Sequence, residues 1–382
     1  MGMLLGVSAR RESHVLHIHT PESFLHFDRT GRFLRRIWAD QVIRRGLDGR
    51  MLLVKIIRHG TKTYRNYRDL EETEKETALT EAYREAINVL HSLHPGDPWI
   101  ETLEHWSAVA LAGDEQAFQR VYLPISILPP DQYHSLVIQI THGCSYNECL
   151  FCDFYRDRKF HIKSMEELQG HIRDIKDFFG ERLADRHGIF LADGNALIIP
   201  TQRLLSMLDI MKMEFASVAT SFSTFMDTFN LKHKSSEELK AIYRRGLTKV
   251  YVGLETGSDR LRDFLLKPGT AAEAATALIR MKAAGFGLGV ILLPGVGGRA
   301  FADDHLQETL DLLKEIPLTK DDAVFLSPFV EPSNPEYARK IRGGGLAAFS
   351  QEEIEAEVFR WKQHLRDYGP RVTLYPIEEH LY

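Results

Sequence analysis

All three cysteines of this 382-residue chain fall in one segment, Thr141-His142-Gly143-Cys144-Ser145-Tyr146-Asn147-Glu148-Cys149-Leu150-Phe151-Cys152. An odd number of thiols this close together cannot build a disulfide framework, and points instead to soft-metal chemistry. Three thiolates can each hold one iron of a four-iron, four-sulfur cube. The chain has no fourth cysteine, so the fourth iron would stay open to a small ligand. Zinc held by the three cysteines with His142 or His161 is one alternative, and three incidental buried thiols another. Structural zinc usually draws on two ligand pairs separated by a longer spacer, so the bunching here favours the cluster.

The surrounding pattern says where the segment sits. Leu136 to Ile140 is a short apolar run directly ahead of it. Further strand-length runs follow at Gly188 to Ala192, Ser217 to Phe222, Lys249 to Leu254, Gly287 to Leu293 and Asp322 to Ser327. Helical spacing fills the intervals: Ser164 to Phe179, Thr201 to Met213, Ser235 to Arg245, Ser258 to Leu266, Ala271 to Ala284 and Asp303 to Glu315. Ser164 with Glu167 three residues on predicts a capping box. Such repetition predicts a parallel sheet covered by helices, with six units where a closed barrel has eight. Loops that follow the strands of such a sheet form its reactive face. The first strand leads straight into the cysteines. Residues 351–369 predict one more helix, and Arg371 to Pro376 a terminal strand.

The C-x4-C-x2-C segment, with Phe151 just before the last cysteine, resembles the radical S-adenosylmethionine (SAM) superfamily. The usual spacing there is C-x3-C-x2-C, and this chain has one residue more. Asp193-Gly194-Asn195 stands where the family carries a Gly-Gly-Glu type motif that meets the methionine amino group. Ser221-Phe222-Ser223-Thr224 would bring a hydroxyl to the ribose or the methionine carboxylate. Gly253-Leu254-Glu255-Thr256-Gly257 resembles a Gly-x-Glu-Ser/Thr-Gly segment whose glutamate meets the ribose or amino group. Val290 to Gly298 looks like the adenine-side strand and its glycine turn. Taken without the resemblance, Asp-Gly-Asn is also turn chemistry, Ser223 a helix cap and Glu255 a first-turn helix acid.

The resemblance implies an α/β fold. A partial (β/α)6 radical SAM barrel is expected over residues 131–330, with an N-terminal α+β accessory domain over 1–130 and a C-terminal helical extension with a terminal strand over 331–382. It implies a [4Fe–4S] cluster on Cys144, Cys149 and Cys152. It implies SAM bound by Phe151, Asp193, Gly194, Asn195, Ser223, Glu255 and Leu293. It further implies a reduced flavodoxin or ferredoxin as electron donor, cleavage of SAM to methionine and a 5′-deoxyadenosyl radical, and hydrogen abstraction from a substrate. The expected substrate is a small molecule. The competing readings are an RNA-modifying enzyme and a non-catalytic iron–sulfur or zinc sensor. No cysteine remains for a second cluster, and no Asp-x-His-x-x-G motif supports a cobalamin domain.

Composition and charge bear on the partners. Hydrophobic residues make up 44% and charged residues 26%, which excludes a disordered or fibrous chain. A net charge of −5 is unlike a generic nucleic-acid coat, and no apolar run is long enough to cross a bilayer. The apolar stretch Met3 to Val7 is too short for a signal-peptide core, so a cytoplasmic protein with no membrane partner is expected. Residues 1–70 carry 14 Lys+Arg against 6 Asp+Glu, and residues 71–130 carry 3 against 11. The two segments either neutralise each other or leave a basic face for RNA, and no RNA-module motif accompanies the charge.

The N-terminal region also carries structural signals. Val15 to Ile18, Ser23 to Leu34 and Met51 to Ile57 read as strands, with a turn at Asp28-Arg29-Thr30-Gly31. Glu71 to Leu93 reads as a long helix, and Pro124 to Pro130 as a linker. His17 and His19 share one strand face, as a metal pair or as ordinary half-exposed residues. Tyr155 and Arg156 either edge the SAM pocket or sit in a solvated loop. Glu331 to Pro335 is either a substrate lid or the exit to the last helices.

Overall fold

The computed structural model describes residues 6–12, 15–59, 62–106 and 108–382, so Met3 to Leu5 of the short apolar stretch lie outside the described residues. The chain forms two compact units. One comprises Met1–Ile125, Ile175–Asp185 and Glu378–Tyr382, and the other Ser126–Asp174 and Arg186–Ile377.

The first unit is a seven-stranded antiparallel sheet in sequence order: β1 (Ser8–Glu12), β2 (Val15–His19), β3 (Phe24–Phe27), β4 (Phe33–Trp38), β5 (Gln41–Arg45), β6 (Met51–His59) and β7 (Lys62–Asp69). Alternation decides its faces. Leu16, Ile18, Leu25 and Phe27 are buried on one side, and His17 and His19 point to the other. His17 meets the ring of His26 and His19 stacks on Phe24. The β3–β4 hairpin turns at Asp28, whose Oδ1 accepts from Thr30 N and Arg32 N, and at Gly31, with φ +83°. Three helices follow: α1 (Glu72–Leu93), α2 (Trp99–His105) and α3 (Ala108–Val121). Ala82, Tyr83, Ala86 and Leu90 of α1 join the apolar face of the sheet in one core.

The opposite charges of residues 1–70 and 71–130 meet inside this unit. Arg36 pairs with Glu81 and Glu85, Arg11 with Asp97, and Arg68 with Glu74. The most buried pairing is Arg32 with Asp114, flanked by Arg45 at 3.7 Å and Arg182 at 4.0 Å. One carboxylate therefore faces three guanidinium groups in a low-dielectric setting. Replacing Asp114 by Ala leaves buried arginines uncompensated and is expected to destabilise this unit by about 3–5 kcal/mol, read by chemical denaturation.

The second unit carries the parallel sheet. Its strands are β8 (Leu136–Gln139), β11 (Ile189–Ala192), β12 (Phe222–Met226), β13 (Leu247–Glu255), β14 (Gly287–Leu292), β15 (Ala323–Leu326) and β16 (Arg371–Leu374), in the order β16-β15-β14-β13-β12-β11-β8. A two-stranded ribbon, β9 (Thr141–His142) with β10 (His161–Ile162), follows β8. The helices are α4 (Met165–Phe179), α5 (Thr201–Glu214), α6 (Ser236–Arg244), α7 (Asp259–Phe264), α8 (Ala271–Ala283), α9 (Ala302–Glu315), α10 (Pro335–Gly343) and α11 (Gln351–His364). β8, β11 and β15 are buried along their whole length, as strands covered on both faces must be. Capping boxes start α6, α8 and α11, and Ser164 and Glu167 exchange the same reciprocal bonds ahead of α4.

Two features differ from the sequence expectation. The third strand is Phe222–Met226 rather than Ser217 to Phe222. Its polar residues can be buried because Ser223 and Thr224 donate to Gln132 Oε1 and Leu191 O. The terminal strand β16 pairs in parallel with β15, so the sheet has seven strands rather than six. An aromatic layer of Phe190, Phe225, Tyr251, Phe325 and Tyr375 runs ring to ring across the sheet, passing over β14 between Tyr251 and Phe325. Gly289 makes room for it, since a Cβ there would stand 2.5 Å from the Tyr251 ring. Among the described residues, no helix is long and apolar enough to cross a membrane.

Candidate active site

Parallel pairing sends all seven strands of the larger sheet of the second unit out at the same edge. The residues just beyond those ends line one cleft of about 200 Å³, open to solvent. The cysteine loop follows β8, Gly194 follows β11, Asp227 follows β12 and Glu255 ends β13. Leu293 follows β14, Ser327 follows β15 and Tyr375 follows β16.

The cysteine loop is held by backbone bonds rather than by packing alone. Arg156 donates from Nη2 to Cys149 O at 2.8 Å and from Nε to Cys152 O at 3.2 Å. It therefore braces the loop, and the cleft edge is formed by Tyr155 instead. Leu150 N donates to Leu265 O, and Tyr146 OH to Leu266 O. Asn147 takes φ +55° and donates to Tyr155 O, which gives the longer C-x4-C spacing a left-handed turn. Asparagine tolerates that region better than other non-glycine residues. Asp153 Oδ2 accepts from Ser333 N and Asn334 N, so the segment after Glu331 is anchored to this loop and leads into α10.

Cys144, Cys149 and Cys152 all line the cleft. Burial pushes the Cys149 thiol up, and the Cys152 thiol up to about 12. Bare, Cys149 and Cys152 are neutral thiols; a bound metal would displace their protons. Gly194 packs against the same loop, and a Cβ there would stand 2.8 Å from Gly143 O and 3.3 Å from Cys144 Cα. Among the described residues no three His, Cys, Asp or Glu side chains gather as a single-ion site, and His17 and His19 belong to no such group. Ligands of a four-iron cube each take a different iron, so they need not converge on one point. The residues present therefore fit a cluster better than a closed zinc site.

The other sequence candidates divide into two groups. Phe151, Gly194, Glu255 and Leu293 line the cleft beside the cysteines. Asp193 and Asn195 support it from behind. Asp193 accepts from Gln139 Nε2 at 3.0 Å, Gly143 N at 3.0 Å and Arg158 Nη1 at 3.1 Å, which braces the start of the cysteine loop. Asn195 accepts from Leu197 N and donates to Asp227 Oδ2 at 2.7 Å. Ser223 lies apart, toward the start of β12, in a network with Gln132, Ser135 and Tyr251.

Glu255 is 8% exposed and holds φ +65°, a left-handed conformation that is unfavourable for glutamate. Burial raises its carboxyl above the usual range, opposed by Lys267 and Arg262. Lys267 Nζ lies 3.8 Å from Glu255 Oε1 and over the Phe151 ring. The backbone around Glu255 is clamped by α9. His305 Nε2 donates to Leu293 O at 3.1 Å, which leaves Nδ1 to accept from Thr256 Oγ1 at 2.8 Å. Thr309 Oγ1 accepts from Gly257 N and donates to His305 O. Gly257 is required because a Cβ would stand 2.6 Å from Glu308 O. No motif in the sequence announces Lys267, His305 or the β15 and β16 ends. Their one signal is position after a strand or on a neighbouring helix.

One edge of this α/β sheet thus presents three thiols, a bare backbone at a glycine and a buried carboxyl group. Residues 138–313 match the Radical SAM superfamily, and the chain carries a domain of that superfamily over this stretch. Such a domain implies a [4Fe–4S] cluster and SAM. No curated protein matches the chain. Similar solved structures include methylornithine synthase (PylB), at 16% identity over 80% of this chain and 88% of that chain, TM-score 0.43. Coproporphyrinogen III oxidase (HemN) from Escherichia coli is similar at 16% identity over 66% and 56%, TM-score 0.45. The cobalamin-dependent S-adenosylmethionine radical enzyme OxsB is similar at 17% over 65% of this chain, TM-score 0.38, and the chain spans 33% of its length.

Two outcomes follow from this geometry. Gly194→Ala is expected to shift the cysteine loop, so the reconstituted variant binds less iron and sulfide per chain than the wild type. Burial holds His305 down to about 4, below its usual 6.5. The unfolded chain therefore binds the extra proton first, and stability present above pH 6.5 is lost as pH falls toward 4. His305→Asn is expected to flatten part of that fall in thermal melts, with buried His380 contributing another part.

Proposed function

We propose that this chain is a radical SAM enzyme acting on a small molecule. The observation that supports it most is the meeting, in one cleft, of Cys144, Cys149 and Cys152 with Gly194, Glu255 and Leu293 from the ends of neighbouring strands. When bound, the cluster and SAM would supply a one-electron reduction that opens the S–C5′ bond and so a carbon radical able to take hydrogen from an unactivated carbon.

This chain's own residues then hold, orient and shield. The three thiolates would hold three irons, inside a loop already braced by Arg156 and Asp193. Gly194 would offer backbone without a side chain in the way. Glu255, kept beside Lys267, would accept hydrogen bonds from the amino group or ribose of SAM. Phe151 and Leu293 would form its apolar wall. The aromatic and aliphatic remainder of the cleft would exclude water, which a radical site requires.

A small molecule is favoured over RNA by two features. The cleft has one lysine among its lining residues, already beside a carboxylate. Arg32, Arg36 and Arg68 of the basic N-terminal stretch are paired with acids within their own unit. A reduced flavodoxin or ferredoxin is the proposed electron donor.

The test is anaerobic reconstitution, then dithionite and SAM, with chromatography for 5′-deoxyadenosine. Wild type is expected to produce it and Cys149→Ala to produce none. A loaded cluster without cleavage would favour the non-catalytic sensor reading. Glu255→Gln is expected to keep its iron while its SAM dissociation constant rises about tenfold or more, as loss of a charged hydrogen bond requires.

A further inference from the structure

We propose that the apolar part of the cleft lining binds a neutral, largely apolar substrate carrying one hydrogen-bonding group, and that Ser327 Oγ is the partner of that group. The proposal rests on the reading of the cleft as the active site and adds the class of substrate to it.

That part of the lining includes Ile127, Phe225, Phe329, Tyr375 and Ile377. It is apolar in effect as well as in composition, because Tyr375 OH is spent on Leu128 O at 2.7 Å. Ser327 lies in it, 1% exposed. Its backbone N–H is used, donating to Leu292 O at 2.9 Å. Its side-chain oxygen is buried with no hydrogen-bond partner. Of the described residues lining the cleft, it is the one with a buried side-chain oxygen or nitrogen left unpaired. A buried hydroxyl without a partner is unfavourable, and it sits here where a ligand would supply one.

The charges nearby argue for a neutral ligand. Lys267 is the one lysine or arginine among the lining residues, and Glu255 and the Phe151 ring already engage it. Asp227 accepts from Asn195 Nδ2, Asn230 N and Asn230 Nδ2. A phosphate or carboxylate on the substrate would find no unpaired cation, and an ammonium would have to compete with three donors for Asp227.

The test is equilibrium binding of fluorescent probes to the reconstituted protein with SAM and no reductant. The probes are naphthalene, 2-naphthol, 2-naphthyl phosphate and 2-(aminomethyl)naphthalene. Naphthol is expected to bind about tenfold more tightly than naphthalene and than either charged probe, roughly the worth of one good hydrogen bond. Ser327→Ala is expected to bring naphthol level with naphthalene, and Ser327→Thr to restore the difference. Without probe, Ser327→Ala is expected to melt no lower than wild type, since it deletes an unpaired polar atom. Tighter binding of either charged probe, or a naphthol preference unchanged in Ser327→Ala, would overturn the proposal. No step needs SAM cleavage, so a chain that binds naphthol as described but makes no 5′-deoxyadenosine would lose only the proposed function.

Discussion

Parallel pairing from β8 to β16 is the constraint on which the rest of the second unit depends. It puts seven strand ends on one edge, so residues far apart in sequence, from Cys144 to Tyr375, become neighbours around a single cleft. Buried strands with side chains on both faces hold that alignment, because a slip of register would drive apolar residues out of both layers. Gly289 shows how tight the arrangement is: the Tyr251 ring occupies the space its side chain would need.

Around this edge the polar work is divided. One set of groups faces the cleft and another holds the first in place. Asp193 and Arg156 fasten the cysteine loop, and Asn195 fastens Asp227. His305 and Thr309 clamp the turn that carries Glu255 in its left-handed conformation. Neutral His305 suits this place, because it donates on one side and accepts on the other without bringing a charge into the core.

Much of this was legible in the sequence, and the illegible part has physical reasons. Continuous apolar runs such as Ile189–Ala192 and the Ser-x-x-Glu starts of α6 and α11 mark elements through local chemistry alone. The third strand was displaced because Ser223 and Thr224 look like cap residues until tertiary partners at Gln132 and Leu191 satisfy them. β16 is legible as a terminal strand but not as the seventh member of the sheet, because its pairing with β15 is non-local. The cysteines stand out by spacing. Asp193 and Asn195 stand out by position, yet their side chains are turned to neighbours rather than to the cleft. Lys267 and Ser327 have no motif, since their roles arise only from which strand ends lie side by side.

The bracing of the cysteine loop has one more consequence. Arg156 holds the carbonyls of Cys149 and Cys152, Asp193 holds Gly143, and Asn147 shapes the turn between the first two thiols. These bonds belong to the polypeptide and involve no metal. Small metal domains that fold only around their ion lose their structure with it. This loop is closer to a socket, shaped by bonds that the polypeptide makes with itself.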